Sequence, residues 1–564
     1  MNFCEIPYKR PNLDEYELTF VELLDKFDSA KNFDLQNEYF KKIYEHRDDF
    51  MTMYCLASIR YSIDTTNETY KVENSFFNKV VPVFENLINK FYHSLEKASY
   101  KSELINVHGE HIFNLASYKL KSFGDEIIVE KQEENELVAG YMKFLASLRI
   151  EINDDQYNIT GASKFRVSPD RKLRKKASDA MQDQFAKNQK YLDNTYDSLV
   201  KLRHKEALKL GFETFVDMSY VSLRRIDYNP KMVASFREHV VKYIVPLAQK
   251  SIEKQKQRLG YQDLKTYDLG CHFLDGNPSP QGDADFIISQ AKKMYEELSP
   301  ETNYFINFLI DKGLMDLVNK KGKQGGGYAT GLDKYKYPFI FSNFNGTSYD
   351  VKVLAHEAGH AFQKYLCYDK EISEYRRPPS ETAEIHSMTM EFFTLPYMKY
   401  FFGDQTDKFK FSKVTQSISA IPYICAVDHF QHIVYENPNL SPDERANAWK
   451  ELEAIYLPGS CNYDHEYLQG GRFWQKQMHI YKLPFYYIDY ALAQMCAFQF
   501  WIKYQNDRGT TWSDYMNLCK AGGTLPFLEV IKIANLDSPF EGGCVKNVAQ
   551  ELEKYLDNID DGKF

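Results

Sequence analysis

Over most of its length the chain alternates apolar and polar positions with a helical period. In YELTFVELLDKFDSAKNFDLQNEYFKKIYEHRDDFMTMYCLASIRY, apolar residues recur every three or four positions between charged ones, and SFFNKVVPVFENLINKFYHSLEKASY shows the same pattern. Such spacing places the apolar side chains on one face of each helix. We therefore predict a mainly α-helical protein, and we find no repeat of fixed period in it.

Two segments depart from the helical period. The first, RIEINDDQYNITG, alternates apolar and polar residues around Asn153-Asp154-Asp155, which predicts a β-hairpin. Helical spacing resumes in SPDRKLRKKASDAM, with Ser168 or Asp170 as the capping residue. We place a domain boundary here, between a helical N-terminal lobe over 1–160 and a second region over 161–564.

The second departure combines a glycine-rich loop, KKGKQGGGYATGL, with the aromatic, strand-like segment YPFIFSNFNG. The loop lacks the terminal GK[ST] of a phosphate-binding P-loop. The spacing leaves two interpretations open: a plain hairpin turn, or a loop and sheet edge that can add a peptide strand. Under the second interpretation, the edge belongs to PFIFSNFNG, and the residues that contact a peptide are Gly326, Tyr328, Phe341 and Asn343.

Directly after this segment, VLAHEAGHAF contains the pattern HExxH. Four residues make about one helical turn, so His356 and His360 project from one face and can share a zinc ion. Glu357 lies beside them, close enough to act as a base on a water molecule next to the metal. Two histidines and a glutamate on an apolar helix need polar partners, and a metal ion supplies them. We therefore predict one zinc ion rather than two ordinary core histidines.

A catalytic zinc needs a third protein ligand. The segment RRPPSETAEIHSMTMEFF provides candidates on a helix that begins after its two prolines, with Ser380 as a possible cap. At about 100 degrees per residue, His386 lies roughly 160 degrees around the helix from Glu384, so we do not expect it at the same site. Spacing alone leaves the choice between Glu381 and Glu384 open.

Composition and charge narrow the possible function classes. The chain has 564 residues and a formal net charge of -9 with both signs mixed, which argues against nucleic acid as a partner. Its nine cysteines are scattered and never in CxxC spacing, which is typical of free thiols in a reducing compartment. We find neither a secretory signal nor an apolar run of about 18 residues, so we expect a cytoplasmic protein without a membrane partner.

HEAGHAFQ, with the first glutamate of AEIHSMTMEFF 28 residues after its first histidine, resembles the M3 family of zinc oligopeptidases, which includes thimet oligopeptidase and neurolysin. The similarity also covers GKQGGGY, YPFIFSNFNG and SPDRKLRKKA, roughly residues 165 to 500, and is greatest to the oligoendopeptidase F and Pz-peptidase branch. The resemblance implies His356, His360 and Glu384 as zinc ligands and Glu391 as a carboxylate that orients a ligand histidine. One departure is Gln363, where the family often has a non-ligand histidine.

The aromatic segment RFWQKQMHIYKLPFYYIDYALAQ would be a core helix by composition alone. The family, however, has a histidine followed eleven or twelve residues later by a tyrosine that lines the zinc cleft, which corresponds to His479 and Tyr490. Tyr490 would donate a hydrogen bond to the oxyanion, while His479 and Tyr486 would hold the substrate or assist. Tyr487 is a further candidate, and the sequence leaves open whether Tyr486 or Tyr487 faces the cleft.

The resemblance implies a zincin-type metallopeptidase with two mostly helical lobes around a deep substrate channel and a small β-sheet beside the HExxH helix. Its substrates would be short unfolded oligopeptides, cut at internal bonds, with Glu357 as the general base. Two alternatives remain: a zinc aminopeptidase of the HExxH plus distant glutamate type, and a non-catalytic peptide-binding relative. The oligomeric state is not predicted.

Overall fold

The computed structural model describes residues 1–564, most of them in helices. This confirms the mainly α-helical class predicted from the apolar period. The α-helices are, in chain order, α1 (Leu13–Asp28), α2 (Phe33–Ile63), α3 (Glu68–Glu96), α4 (Lys101–His108), α5 (His111–Lys121), α6 (Ile128–Ser147), α7 (Ile159–Ser163), α8 (Arg171–Lys187), α9 (Gln189–Lys209), α10 (Phe215–Ser222), α11 (Pro230–Arg258), α12 (Ala284–Leu298), α13 (Pro300–Lys312), α14 (Ser348–Leu366), α15 (Ser380–Phe393), α16 (Lys399–Phe402), α17 (Thr406–Glu436), α18 (Pro442–Tyr456), α19 (Glu466–Gln469), α20 (Met478–Lys482), α21 (Ile488–Asn506), α22 (Arg508–Ala521), α23 (Phe527–Ile533) and α24 (Gly542–Asp557).

Five short strands form two sheets. Strands β1 (Ile150–Ile152) and β2 (Asp155–Tyr157) pair antiparallel as the predicted hairpin. Its two turn residues, Asn153 and Asp154, have φ angles of 53° and 69°, the left-handed conformation that tight hairpin turns require. The second sheet contains β3 (Met315–Val318), β4 (Tyr328–Leu332) and β5 (Tyr337–Phe344) in the order β3-β5-β4. Strand β5 runs parallel to β3 and antiparallel to β4.

The chain divides into two compact units, each built from three segments. The first unit contains Met1–Leu120, Ser279–Thr406 and Cys496–Leu536, and the second contains Lys121–Pro278, Asp407–Met495 and Asp537–Phe564. These units interleave along the chain, whereas the boundary placed near residue 160 is a division in sequence order. That boundary stays a prediction.

In the first unit, the N-terminal helices α1 to α3 start at asparagine caps. The side chains of Asn12, Asn32 and Asn67 each accept a hydrogen bond from a backbone N–H in the first turn, which satisfies a group that the helix leaves open. The helices then bury aromatic faces against each other, and the rings of Phe50 and Phe84 stack with centroids 4.3 Å apart. This packing gives the first unit an aromatic core next to its three-stranded sheet.

In the second unit, a buried arginine connects several helices. Arg203 of α9 is fully buried, and its guanidinium donates to the Glu134 carboxylate, the Tyr435 hydroxyl and the Tyr481 carbonyl. A guanidinium has five N–H donors in a fixed plane, so it can serve three acceptors at once. Helices α6, α9, α17 and α20 are thereby held together.

Two further sequence predictions concern the state of the cysteines and the presence of membrane-spanning helices. All nine cysteines are free thiols, in agreement with the scattered spacing. No helix combines the length and the apolar character needed to cross a bilayer.

Candidate metal centre

The HExxH segment lies in α14, whose start is fixed by a carboxylate. Asp350 Oδ2 accepts hydrogen bonds from the backbone N–H groups of Asn345 and Gly346, at 2.9 and 2.7 Å, and so holds the turn that leads into the helix. The helix then packs its apolar face on β5. His356 and His360 lie on one face, and their ring centroids are 4.9 Å apart.

A glycine determines how closely α15 approaches α14. A Cβ atom on Gly359 would lie 2.7 Å from the His386 carbonyl oxygen and 2.7 Å from the Ser387 Cα atom, both of which are backbone atoms of α15. Only a residue without a side chain allows this contact. The close approach brings Glu384, one turn before Ser387 on α15, to the two histidines of α14.

The three side chains that the HExxH pattern and the family resemblance select do come together. Glu384 Oε2 lies 3.4 Å from His356 Nε2 and 3.8 Å from His360 Nε2. One potential ligand atom from each of these residues lies within 4.8 Å of the others. Ser387 Oγ donates to Glu384 Oε2 at 3.2 Å and fixes the orientation of the carboxylate. We name this set of three the metal triad.

The two histidines of the metal triad have opposite electrostatic environments. His356 Nδ1 lies 2.8 Å from Glu391 Oε1, so its Nε2 faces Glu384. Burial disfavours the charged ring of His356, but its hydrogen bonds to Glu384 and Glu391 outweigh burial and raise its pKa to about 10. Burial lowers the pKa of His360 to about 4, although Glu384 partly opposes this. Together, the two carboxylates attract one positive charge to the triad.

Glu357 is buried beside the metal triad. Burial raises the pKa of its carboxyl to about 7, the charges of Glu384 and Glu391 add to this effect, and His356 and the Ala329 backbone N–H oppose it. A Cβ atom on Gly327 would lie 3.6 Å from Glu357 Oε1, so the chain that leads into β4 passes next to this carboxylate. A carboxyl with a pKa near neutrality can both accept and donate a proton at pH 7.

The other residues of α15 considered from spacing lie elsewhere. Glu381 is almost fully buried but is not part of the group that could hold an ion. His386 is fully buried, and burial lowers its pKa to about 3, so it stays neutral. The helix itself begins at Ser380, and Pro379, which has no side-chain donor or acceptor, occupies the cap position assigned to Ser380.

The free sheet edge was predicted on the wrong strand. The segment PFIFSNFNG forms β5, which has a neighbour on both sides, and the edge strand beside Glu357 is β4. Phe341 of β5 is fully buried with its ring 4.8 Å from that of Tyr328, so it is not placed to contact a peptide. Asn343 Nδ2 donates to the carbonyls of Gln324 and Gly326 and ties down the glycine-rich loop.

Gly326 and Gln363 have local roles that the structure defines. Gly326 is exposed and has a φ angle of +97°, a conformation that favours glycine. Gln363, at the position where the family often has a histidine, is buried and donates to the Cys367 sulfur at 3.2 Å.

In the second unit, the four aromatic residues named from the sequence form one cluster, which we call the aromatic cluster. Its members are His479, Tyr486, Tyr487 and Tyr490. The His479 ring stacks on Tyr486 at 5.9 Å and contacts Tyr487 at 4.7 Å, and the Tyr490 ring lies 5.5 and 5.6 Å from those of Tyr486 and Tyr487. All four side chains are partly exposed. Burial raises the pKa of Tyr487 to about 12, so its hydroxyl keeps its proton at neutral pH.

The contacts that hold the aromatic cluster in place could not be predicted from the sequence. Asp489, next to Tyr490, is fully buried and accepts a hydrogen bond from Arg225 Nη2 at 2.7 Å. The same guanidinium nitrogen donates to the carbonyl of Phe485, which has a φ angle of +64°. These contacts fix the turn that carries Tyr486 and Tyr487. No short motif joins two residues that are 264 positions apart.

Comparisons with known proteins decide the family. The model of the peptidase M3 N-terminal domain matches residues 3–123, and that of peptidase family M3 matches residues 165–277 and 290–549. The chain belongs to peptidase family M3. Members of this family are metallopeptidases, so this assignment also makes the chain an enzyme.

Within the M3 family, similar proteins align over most of the chain. The oligoendopeptidase F homolog of Borreliella burgdorferi is 24% identical, over 90% of this chain and 88% of its own length. The group B oligopeptidase PepB of Streptococcus agalactiae is 23% identical, over 93% and 90%. A solved structure of Pz peptidase A with an inhibitor is 47% identical, covers 99% of this chain and 100% of its own, and superimposes with a TM-score of 0.94. The M3 chain is therefore a peptidase of the oligoendopeptidase F type.

Proposed function

We propose that this M3 peptidase is a zinc endopeptidase that hydrolyses internal bonds of short unfolded peptides. The observation that carries the proposal is the metal triad, with Glu357 on the same helix as its two histidines. Two imidazoles and one carboxylate form a common protein ligand set of catalytic zinc sites, which leave one position for water or substrate.

The donor chemistry fits zinc. In the metal triad, Glu391 accepts from one nitrogen of His356 and so leaves the other nitrogen to face Glu384 and a metal. The carboxylates of Glu384 and Glu391 raise the pKa of His356 because they favour a positive charge on its ring. A divalent cation bound at the triad would supply positive charge to the same two carboxylates. When bound, zinc would supply a Lewis acid that polarises the peptide carbonyl and makes water a better nucleophile.

Glu357 is the proposed proton carrier. Its carboxylate takes the proton of the attacking water and delivers it to the nitrogen of the leaving amine. Its pKa of about 7 suits both steps, because the group holds the proton only transiently at neutral pH. A site that only binds peptides has no need of this base, which argues against the non-catalytic alternative.

The aromatic cluster is proposed to serve the oxyanion. Attack on the carbonyl creates negative charge on its oxygen, and a phenol O–H can donate a hydrogen bond to it. We assign this role to Tyr490, while His479 and Tyr486 hold the substrate. Tyr490 is suited to a fixed donor position because its ring is packed between two tyrosines and its neighbour Asp489 is anchored by Arg225.

The peptide is proposed to pair with β4, whose outer edge carries no other strand. Ala329 of this strand presents its backbone N–H towards Glu357, so a peptide added to this edge would place its bonds near the base. Gly326 and Tyr328 would contribute through their backbone. The names of the similar proteins, oligoendopeptidase F and oligopeptidase PepB, support short peptides as substrates.

The decisive experiment uses a mixture of N-acylated and C-amidated peptides, incubated with the purified chain and analysed by mass spectrometry. We expect cleavage at internal bonds and about one zinc ion per chain in a parallel metal analysis. Cleavage of blocked peptides excludes an obligate aminopeptidase. Failure to cleave any blocked peptide, while free N-terminal residues are released, would instead establish the aminopeptidase alternative.

A further inference from the structure

A cavity of about 180 Å³ lies in the first unit, at the far end of β4 and α14 from Glu357. Thr330 and Gly331 of β4 form one wall, and Lys364 and Tyr368 form another. We call it the basic cavity. None of its lining residues belongs to the metal triad or to the aromatic cluster.

The basic cavity carries an excess of positive charge. Lys364, Arg376 and Arg377 line it, against a single carboxylate, Asp333. Arg377 Nη2 donates to Asp333 Oδ2 at 3.1 Å, and Arg376 pairs with Asp48, which lies outside the lining. The Lys364 ammonium forms no ion pair; burial and the charge of Arg377 lower its pKa, and the charge of Asp333 opposes them. One positive charge therefore remains without a partner.

Two residues that line the basic cavity each have a buried donor without an acceptor. Tyr368 is 6% exposed, and its hydroxyl has no hydrogen-bond partner, as is also true of Arg376 Nε. A Cβ atom on Gly331 would lie 2.4 Å from the Tyr368 hydroxyl oxygen, so the hydroxyl points at the β4 wall that the glycine leaves open. Buried donors without partners destabilise a fold unless they serve a ligand or a water molecule.

The basic cavity lies along the path that we propose for the peptide. From His360 to Leu366, where α14 ends two residues before Tyr368, the helix axis covers about 9 Å. Gly327, which precedes β4, lies beside Glu357, and Gly331 of β4 lies beside Tyr368; four residues of extended chain between them cover about 13 Å. An extended peptide on β4 reaches the cavity about three to four residues from the bond next to Glu357.

We propose that the basic cavity binds an oxyanion, namely the carboxylate of an acidic peptide residue three or four positions from the scissile bond. The identity of the ligand as a peptide carboxylate rests on the proposed function; the presence of an oxyanion site does not. Lys364 and Arg377 supply the charge, and Tyr368 supplies a neutral hydrogen bond to the same carboxylate. A free anion such as inorganic phosphate has the same chemistry and is the other source to be tested.

The first arm of the test measures kcat/KM for pairs of blocked peptides that differ only by Glu or Gln, three and four positions from the scissile bond on either side. We expect the natural chain to prefer Glu about tenfold at one of these positions, as one charge-assisted hydrogen bond allows. The preference should fall to about 1 in K364M and in R377Q, whatever their absolute rates. The matched control is K334Q, an exposed lysine beside Asp333 that pairs with Asp49 and does not line the cavity; it should keep the preference.

The second arm measures thermal unfolding with inorganic phosphate against potassium chloride of equal ionic strength. Stabilisation by phosphate that is lost in both K364M and R377Q, without any Glu preference, supports the site with a free anion as its ligand. If no blocked peptide is cleaved, the proposed function fails and the phosphate arm alone decides the cavity. The inference is overturned if the natural chain shows neither effect, or if K364M and R377Q keep both.

Discussion

The metal triad lies in the first unit and the aromatic cluster in the second, and the two groups are built differently. In the triad, charged groups hold each other: Glu391 fixes His356, Ser387 fixes Glu384, and Gly359 allows the two helices to meet. In the cluster, aromatic rings pack against each other with centroids 4.7 to 6.1 Å apart. The triad is thus suited to a cation, and the cluster to phenol hydrogen-bond donors.

From this difference we expect some variants to affect metal binding and others to affect only the reaction. Carboxylates that hold a side chain of the triad in place, as Glu391 holds His356, orient the ligands, so their removal changes metal binding. The cluster offers phenol hydroxyl groups rather than carboxylates, so removal of a hydroxyl should change turnover and leave the metal in place. The variants below are arranged to test this separation.

The largest effect is expected for Glu357, which belongs to the triad's helix but not to its ligands. E357Q should lower kcat by about 10³–10⁴, because the general base is lost while the shape of the side chain is kept. Zinc content per chain, measured by metal analysis, should not change. A variant with full turnover would contradict the assigned mechanism, and one that loses its zinc would make Glu357 a ligand.

Removal of single hydroxyl groups should distinguish the role of Tyr490 from that of its neighbours in the aromatic cluster. Y490F should lower kcat by about 10²–10³ with little change in KM, because the lost donor serves the oxyanion rather than the bound substrate. Y487F is the matched control, since it removes a hydroxyl from the same cluster. Equal losses of kcat in the two variants would show that the cluster has no distinct oxyanion donor.

Acid should weaken the segment that leads into α15. Burial opposes ionisation of Glu374, but Arg47 and the Tyr92 hydroxyl outweigh it and lower its pKa to about 2, against an ordinary value of 4.5. Because the folded-state pKa is depressed, this stabilisation is fully present above pH 4.5 and is lost as the pH falls towards 2. The contribution is about 3 kcal/mol.

The measurement is the free energy of unfolding by urea between pH 6 and pH 2, for the natural chain and for E374Q. The natural chain should lose about 3 kcal/mol more than the variant over this range, since the variant has no carboxylate to titrate. Parallel pH profiles of the two proteins would show that the Arg47–Glu374 pair does not contribute in this way.

The smallest effect is expected for the carboxylate behind His356. E391Q should weaken zinc binding by about 10–100-fold, because the histidine loses the partner that fixes its ring and raises its basicity. Competition with a chelator measures this affinity. At saturating zinc, kcat should be close to that of the natural chain. A large loss of kcat with unchanged zinc affinity would place Glu391 in the reaction rather than behind the metal.

Sequence spacing predicted α14 well but could not choose the third residue of the triad. His356 and His360 are one turn apart, so any helix brings them together. Glu381 and Glu384 are also one turn apart on α15, and the register between the helices decides between them. That register depends on Gly359 and on the backbone atoms of His386 and Ser387 that it contacts. Only the family resemblance had favoured Glu384.

The sequence analysis placed the free sheet edge on β5, although the sequence contains an indication that β5 is the central strand. The run YPFIFSNF is nearly all apolar, which is typical of a strand buried on both faces in the middle of a sheet. The short YATGL, with a glycine and small residues, is better suited to an edge beside a helix. The pairing of Arg225 with Asp489 had no such indication, because it depends on long-range packing.

The proposed reaction depends on one zinc ion held by His356, His360 and Glu384. Anomalous X-ray diffraction on both sides of the zinc absorption edge, from crystals of the purified chain, tests it directly. We predict one zinc peak at about 2.0–2.2 Å from a nitrogen of each histidine and an oxygen of Glu384. A zinc peak at any other place in the chain, or a triad that binds no zinc when zinc is supplied, would contradict the account.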